Sequence, residues 1–224
     1  MSLKVGSIEI KYLGHSGFFI HNGKKIAIDP YNIPENFGEK ADLILVTHSH
    51  YDHCSIKDMQ KLAQKGAVIV VPADAQSKIT KIEDVNMQVI EPGDELDFGD
   101  VKVGAIPAYN VGKDFHTKAD GWVGYIAKMG NIIVYHAGDS DKIPEMQKLS
   151  GYGKDGNEFV ALLPVSGQFA MTAEEAAEAA AMIKPTIAIP MHYGAGVAGT
   201  IEDAERFVKL CTANGIRAEI LERG

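Results

Sequence analysis

The chain has 224 residues, 46% of them hydrophobic and 23% charged, and a formal net charge of −8. This is the composition of a soluble globular protein of moderate size, without the broad basic footprint of a non-specific nucleic-acid binder, so nucleic acid is not the expected partner. No apolar run approaches the length of a membrane span, and Lys4 and Lys11 flank no signal-peptide core. The expected location is therefore the cytoplasm. Only two cysteines occur, Cys54 and Cys211, and they do not indicate a disulfide framework.

Ser7–Leu13 alternates with period two, and Gly17–His21 follows after a break at Gly14-His15-Ser16. Asn22-Gly23 signals a hairpin whose return strand, Lys25–Asp29, ends before Pro30. Leu43–Val46 reads as a short buried strand. The spacing of Ile56, Met59, Leu62 and Ala63 predicts a helix over Ser55–Lys65, ending at Gly66, with a buried strand Ala67–Val71 beyond it. Pro92-Gly93-Asp94 and Phe98-Gly99-Asp100 mark turns around a short strand, and the strand Val101–Ile106 follows.

Trp122–Lys128 and Asn131–Tyr135 read as a hairpin through Met129-Gly130, and Phe159–Val165 as a buried strand. Thr172 and Glu175 form a capping box that opens a helix Ala173–Ile183, which stops before Pro185. Thr186–Pro190 is a strand, Glu202–Ala213 a helix, and Arg217–Leu221 a final edge strand. Two β-rich halves thus each end in strand–helix units, with no linker or sequence repeat between them. The expectation is one domain spanning residues 1–224, of the α/β class, with two sheets sandwiched between helices.

Residues 47–53 read Thr-His-Ser-His-Tyr-Asp-His, directly after a buried strand. In an extended stretch, residues i and i+2 project to one side, so His48 and His50 can offer two imidazoles to one metal ion. Asp52 and His53, one and two residues into the following turn, can face a second point. Imidazole combined with carboxylate suits zinc, manganese or iron better than calcium or magnesium. Cys54 stands beside this cluster and reads as a buried bystander, since cysteine is among the most buried residue types.

The Thr47–His53 segment resembles the signature of the metallo-β-lactamase fold hydrolases. The likeness covers nearly the whole chain, because the hairpin start, Gly138-Asp139 after a strand and a late Pro190-Met191-His192 fall in the same order. Tyr12-Leu13-Gly14-His15-Ser16, His136-Ala137-Gly138-Asp139 and Pro190-Met191-His192-Tyr193-Gly194 look most like small hydrolases related to ascorbate-6-phosphate lactonase and to the N-acylphosphatidylethanolamine phospholipase.

The resemblance implies a four-layer αββα sandwich of two mixed sheets, with helices on the outer faces. It implies two divalent metal ions, zinc first and manganese or iron next. His48 and His50 would hold the first, Asp52, His53 and His192 the second, and Asp139 would bridge them.

One position departs from the family pattern. Where relatives carry a further histidine in a Pro-Ala-x-His context, this chain has Pro107-Ala108-Tyr109-Asn110. An amide oxygen is a poorer zinc donor than imidazole. His116, six residues on, can fold back to supply the nitrogen, or is instead a loop histidine or a substrate contact. Asp29 resembles the carboxylate that orients the histidine motif. His15 can line the cleft and act on substrate or water, His136 reads as structural, and His21 as hairpin surface.

The implied activity is hydrolysis of a small, anionic lactone, ester or phosphodiester by a metal-bound hydroxide, with Asp52 and His15 as the catalytic side chains that handle protons. The rivals are a di-iron redox enzyme of the same fold and a metal-binding sensor without enzymatic activity. Substrate identity and oligomeric state are not readable from the sequence.

Overall fold

The computed structural model describes residues 2–224 and contains two β-sheets packed face to face. The first has seven strands in chain order: β1 (Ser2–Val5), β2 (Ile8–Gly14), β3 (Gly17–His21), β4 (Lys25–Ile28), β5 (Ala41–Leu45), β6 (Ala63–Val71) and β7 (Asn86–Val89). Strands β1 to β4 form an antiparallel meander, and β4 to β7 run parallel.

The second sheet contains β8 (Glu95–Asp97), β9 (Lys102–Pro107), β10 (Val123–Met129), β11 (Ile132–His136), β12 (Glu158–Pro164) and β13 (Ile187–Met191). It repeats the plan, antiparallel through β11 and parallel to β13. The crossovers of the parallel strands carry α1 (Ile56–Leu62), α2 (Gln76–Ile79) and α3 (Ala173–Ile183), and α4 (Ile201–Ala213) follows β13.

Side-chain alternation makes the layers. In β3 and β4, Phe18, Ile20, Ile26 and Ile28 enter the core between the sheets, while Phe19 and Ala27 face the other way. In β5 and β6, Leu43, Leu45 and Val70 point inward, and Ile44, Ile69 and Val71 pack outward with Met59 and Leu62 of α1 and Ile79 of α2. On the far side, α3 and α4 bury Ala176, Ala180, Ile183, Phe207 and Cys211 over the second sheet. The alanines of α3 let it lie close to β12 and α4. Each buried aliphatic or aromatic side chain contributes about 1.5–3 kcal/mol, so the alternation fixes which face each strand presents. The result is a four-layer αββα sandwich.

Local signals place the helices. Thr172 accepts from Glu175 N and Thr200 from Asp203 N, each inside a complete capping box, and Ser55 caps α1. Helix α1 ends at Leu62, short of the expected Lys65, because the chain turns extended at Ala63, which pairs with Ala41 of β5. The expected edge strand Arg217–Leu221 does not form. Residues there make a single bridge, Ala188 to Ala218, and the chain then crosses to the first sheet, where Arg223 bridges Tyr12. The pairing that would have extended the edge goes to β2 instead. Among the described residues no helix is long and apolar enough to cross a membrane.

Both cysteines are buried, Cys54 beneath the start of α1 and Cys211 within α4. Burial disfavours the thiolate and pushes their pKa values up to about 11 and about 12 respectively. Iodoacetamide at pH 8 should therefore leave both thiols unmodified in the folded protein and alkylate both in guanidinium, as read by mass spectrometry. Rapid labelling of Cys54 in the folded state would contradict this packing.

Candidate metal centre

Asp29 organises the site. It lies just beyond β4, fully buried, in the left-handed conformation at φ 43°. Its Oδ1 accepts from the Thr47 backbone N–H at 2.8 Å, and its Oδ2 accepts from the Thr47 hydroxyl at 2.6 Å. The same Oδ2 lies 2.7 Å from His53 Nδ1. A carboxylate only accepts, so His53 carries a proton on Nδ1, and Nε2 is the ring atom left to face an ion. The Thr47 hydroxyl, having given its hydrogen to Asp29, accepts from His48 Nδ1 at 3.0 Å. One acid thereby sets the tautomers of two histidines.

The motif after β5 is not extended. Residues 48–54 form bends and a turn closed by His53 N and Cys54 N donating to His50 O at 3.1 and 2.7 Å. His48 and His50 still face each other, with ring centroids 4.9 Å apart, but the turn brings them together rather than the alternation of a strand. His116 joins them. Its ring lies 5.5 Å from that of His48 and 5.1 Å from that of His50, and ligand atoms of the three lie within 4.8 Å of one another.

Asn110 lies at the base of the loop that carries His116, with its Oδ1 buried and without a hydrogen-bond partner. Its Nδ2 donates to Phe169 O at 2.8 Å and its backbone N–H to His116 O at 2.7 Å, closing the base of the loop that returns His116. Lys113 staples that loop through Nζ contacts to Asp141 Oδ1 (2.7 Å), Ala170 O (2.9 Å) and Gly167 O (3.3 Å). The other oxygen of Asp141 accepts from Val111 N at 2.8 Å.

A second group comprises His15, Asp52, His53 and His192, again with ligand atoms within 4.8 Å of one another. His15 enters from the β2–β3 turn and His192 from the end of β13. Asp139 sits between the groups. Its Oδ2 is 3.1 Å from His192 Nε2 and 3.8 Å from His48 Nε2, and its Oδ1 is 3.3 Å from His53 Nε2. The preceding Gly138, at φ 60°, is tightly enclosed, since a Cβ there would meet Val123 O at 3.1 Å and Thr47 Cβ at 3.2 Å. His136 braces this turn, accepting from Gly138 N at 3.2 Å through Nδ1 and donating to Ser16 O at 2.8 Å through Nε2.

Trp122 is a contributor that the sequence patterns do not single out. The chain's one tryptophan packs its ring 4.6 Å from His48, 4.9 Å from His50 and 5.1 Å from His116, and its indole N–H donates to Asp74 at 2.8 Å. Its only sequence signal is an aromatic residue at a strand start, immediately after the left-handed Gly121.

The electrostatics are those of a cation-binding pocket. Burial pushes the pKa values of His48, His15 and His116 down, which keeps their lone pairs available at neutral pH. Burial works against Asp139 and against charged His53. The neighbouring histidines nevertheless hold Asp139 well below the usual carboxylate range, and Asp139 and Asp29 hold His53 well above the usual imidazole range. His48 Nε2, His53 Nε2, both ring nitrogens of His192 and Asp139 Oδ1 are buried without a hydrogen-bond partner. Buried lone pairs left unpaired are costly, and a divalent ion is the partner that satisfies several at once. The donors, imidazole nitrogen with carboxylate oxygen, fit zinc, manganese or iron.

A cavity of about 310 Å³ opens on the His48–His50–His116 side, lined by His50, Tyr51, Asp52, Phe115, His116, Asp139, Phe169 and Val197. His15, His53 and His192 do not line it. His15 faces the opposite way, onto a cavity of about 500 Å³ that it shares with Tyr31, Tyr193 and Arg223.

The chain is similar to known proteins in sequence and fold. The family model described as "Beta-lactamase superfamily domain" matches residues 9–192. The UPF0173 metal-dependent hydrolase of Pyrococcus horikoshii is 36% identical over 197 residues, 83% of this chain and 84% of that protein. The corresponding protein of Thermococcus kodakarensis is 36% identical over 225 residues, covering 96% and 95%. A crystal structure from Parabacteroides distasonis superposes with a TM-score of 0.83 at 29% identity, covering 99% of this chain and 98% of that one.

Two expectations follow from the geometry. Asp29→Ala leaves the Thr47 N–H, the Thr47 hydroxyl and the His53 Nδ1–H without an acceptor. It should lower stability by about 3 kcal/mol or more in urea unfolding with chelator present, with Asp29→Asn costing less. Lys113→Met removes a charge-assisted clasp of about 1.5–3 kcal/mol. It should speed amide hydrogen exchange over residues 110–116 by tenfold or more, and unchanged exchange would refute the clasp.

Proposed function

The chain belongs to the UPF0173 family of metal-dependent hydrolases in the β-lactamase superfamily, and from that premise we propose that it uses two divalent ions to hydrolyse a small ester, lactone or phosphodiester. In this reading His48, His50 and His116 hold the first ion, and Asp52, His53 and His192 the second. Asp139 lies between the two. The observation that carries the reading is the convergence of two separate ligand groups on this one buried carboxylate, whose oxygens stand within 4 Å of imidazole nitrogens from each.

Ions bound there would acidify a coordinated water and polarise the carbonyl or phosphoryl oxygen under attack. The protein's own part is positional. Asp29 and Thr47 aim the lone pairs of His48 and His53, and the Lys113 clasp returns His116 to them. Tyr51, Phe115, Phe169 and Val197 give the cavity an apolar wall suited to the body of a small substrate, while Asp52, at the cavity wall, is placed to manage a proton. No lysine or arginine lines this cavity, so the charge of an anionic substrate would be met by the ions.

Asp139→Ala should lower bound metal to one ion per chain or fewer and abolish turnover of bis(4-nitrophenyl) phosphate and of an activated lactone. Activity retained at the wild-type level would remove Asp139 from the centre. In the companion pair, His116→Ala should reduce metal stoichiometry measured by mass spectrometry, whereas Asn110→Ala should leave His116's share of the metal largely in place. The opposite pattern would give the position to the amide.

A further inference from the structure

The seven residues assigned above do not exhaust the second group. His15 belongs to it by geometry. Its Nε2 lies 2.8 Å from Asp52 Oδ2, its ring centroid 4.2 Å from that of His192 and 5.5 Å from that of His53. The residue is 1% exposed and its Nδ1 has no hydrogen-bond partner. Its backbone is in the left-handed region at φ 55°, a conformation that costs a residue with a side chain. Two hydrogen bonds to its carbonyl oxygen hold it there, from the Tyr12 hydroxyl at 2.9 Å and from His192 N at 2.7 Å. The second ties His15 directly to another member of the group, itself left-handed at φ 62°.

Resting on the two-ion reading, we propose that His15 is a ligand of the second ion, so that this site has three imidazoles, Asp52 and Asp139 as donors and is the more tightly held one. The first ion would have three imidazoles and Asp139, one protein donor fewer. His50 and His116 of the first group line the cavity of about 310 Å³, whereas the second group reaches it through Asp52 and none of its imidazoles. His15 is thus unsuited to act on a substrate in that cavity, because it stands behind Asp52. The rival is that His15 only donates a hydrogen bond that orients Asp52.

Asparagine separates the two roles. It tolerates the left-handed conformation and can bond Asp52 through its amide, but it brings no imidazole. The protein loaded with cobalt should bind two ions per chain, losing one quickly and one slowly to a chelator. In His15→Asn and His15→Ala, the slow ion should leave about tenfold faster or more. The number of hyperfine-shifted imidazole N–H resonances in the proton spectrum should fall by one in both variants, provided both melt like the wild-type chain in chelator. Wild-type retention and an unchanged resonance count in His15→Asn would overturn the assignment and leave His15 as a positioning residue. A wild-type protein that binds no cobalt would instead overturn the two-ion reading, and this proposal with it.

Discussion

The buried carboxylate of Asp29 is the constraint on which the rest of the site depends. An acid wholly removed from water must be met by donors, and Asp29 meets three: a backbone N–H, a hydroxyl and an imidazole N–H. Because those donors come from Thr47 and His53, burying one acid after β4 dictates the path of the chain after β5. The Asp29 N–H in turn donates to Leu45 O at 3.0 Å, so the two segments are tied in both directions. Thr47 also reaches the other sheet, its carbonyl accepting from Val123 N at 3.1 Å, and the Tyr125 hydroxyl caps Val46 O at 2.8 Å. The histidine turn is therefore anchored to both sheets before any ion is considered.

Four of the eight non-glycine residues with positive φ among the described residues belong to this site. His15, Asp29, His116 and His192 all adopt left-handed conformations that cost non-glycine residues on the order of 1 kcal/mol or more each. Such residues persist only where the surroundings over-determine them. Here the surroundings are the hydrogen bonds from Tyr12, Thr47 and Asn110 and the core between the sheets. The fold's repeated plan explains why the strain collects in one place. Each half runs an antiparallel meander into parallel strands, and Asp29 and Asp139 follow the last meander strand of their halves, β4 and β11. Parallel pairing then places the motif after β5 and His192 after β13 at the same end, so short loops must turn sharply to face one another.

What the sequence made legible was whatever is local. The capping box at Thr172 and Glu175, the alternation in β3 and the four ligand-type residues between His48 and His53 are each encoded within a few positions. The elements missed or misjudged depend on distant partners. Strand β7 is exposed along its whole length and exists only by pairing with β6, so no hydrophobic pattern announces it. The segment Arg217–Leu221 has strand-like residues but makes a single bridge, through Ala218 to Ala188, and the chain beyond it pairs at Arg223 with Tyr12, more than two hundred positions away. Trp122 becomes part of the site because Asp74 holds its indole and the histidine rings pack on it. The i, i+2 argument for His48 and His50 anticipated the right neighbours through a geometry the chain does not use, because Cys54 N closes a turn on His50 O.

Asn110 shows most clearly how a missing residue type is made good by folding. The amide binds Phe169 O through its side chain and His116 O through its backbone, and both bonds bend the following loop back on itself. Lys113 completes the bend by neutralising Asp141, which is buried two residues past Asp139 and would otherwise stand as an uncompensated charge. The loop's return is thus driven by the need to satisfy Asp141 and the carbonyls of Gly167 and Ala170, not by attraction between histidines. The return sets the His116 ring 5.5 Å from that of His48 and 5.1 Å from that of His50. The His116 ring is brought back by a lysine–aspartate pair whose Lys113 lies three residues from Asn110 and whose Asp141 lies two residues from Asp139.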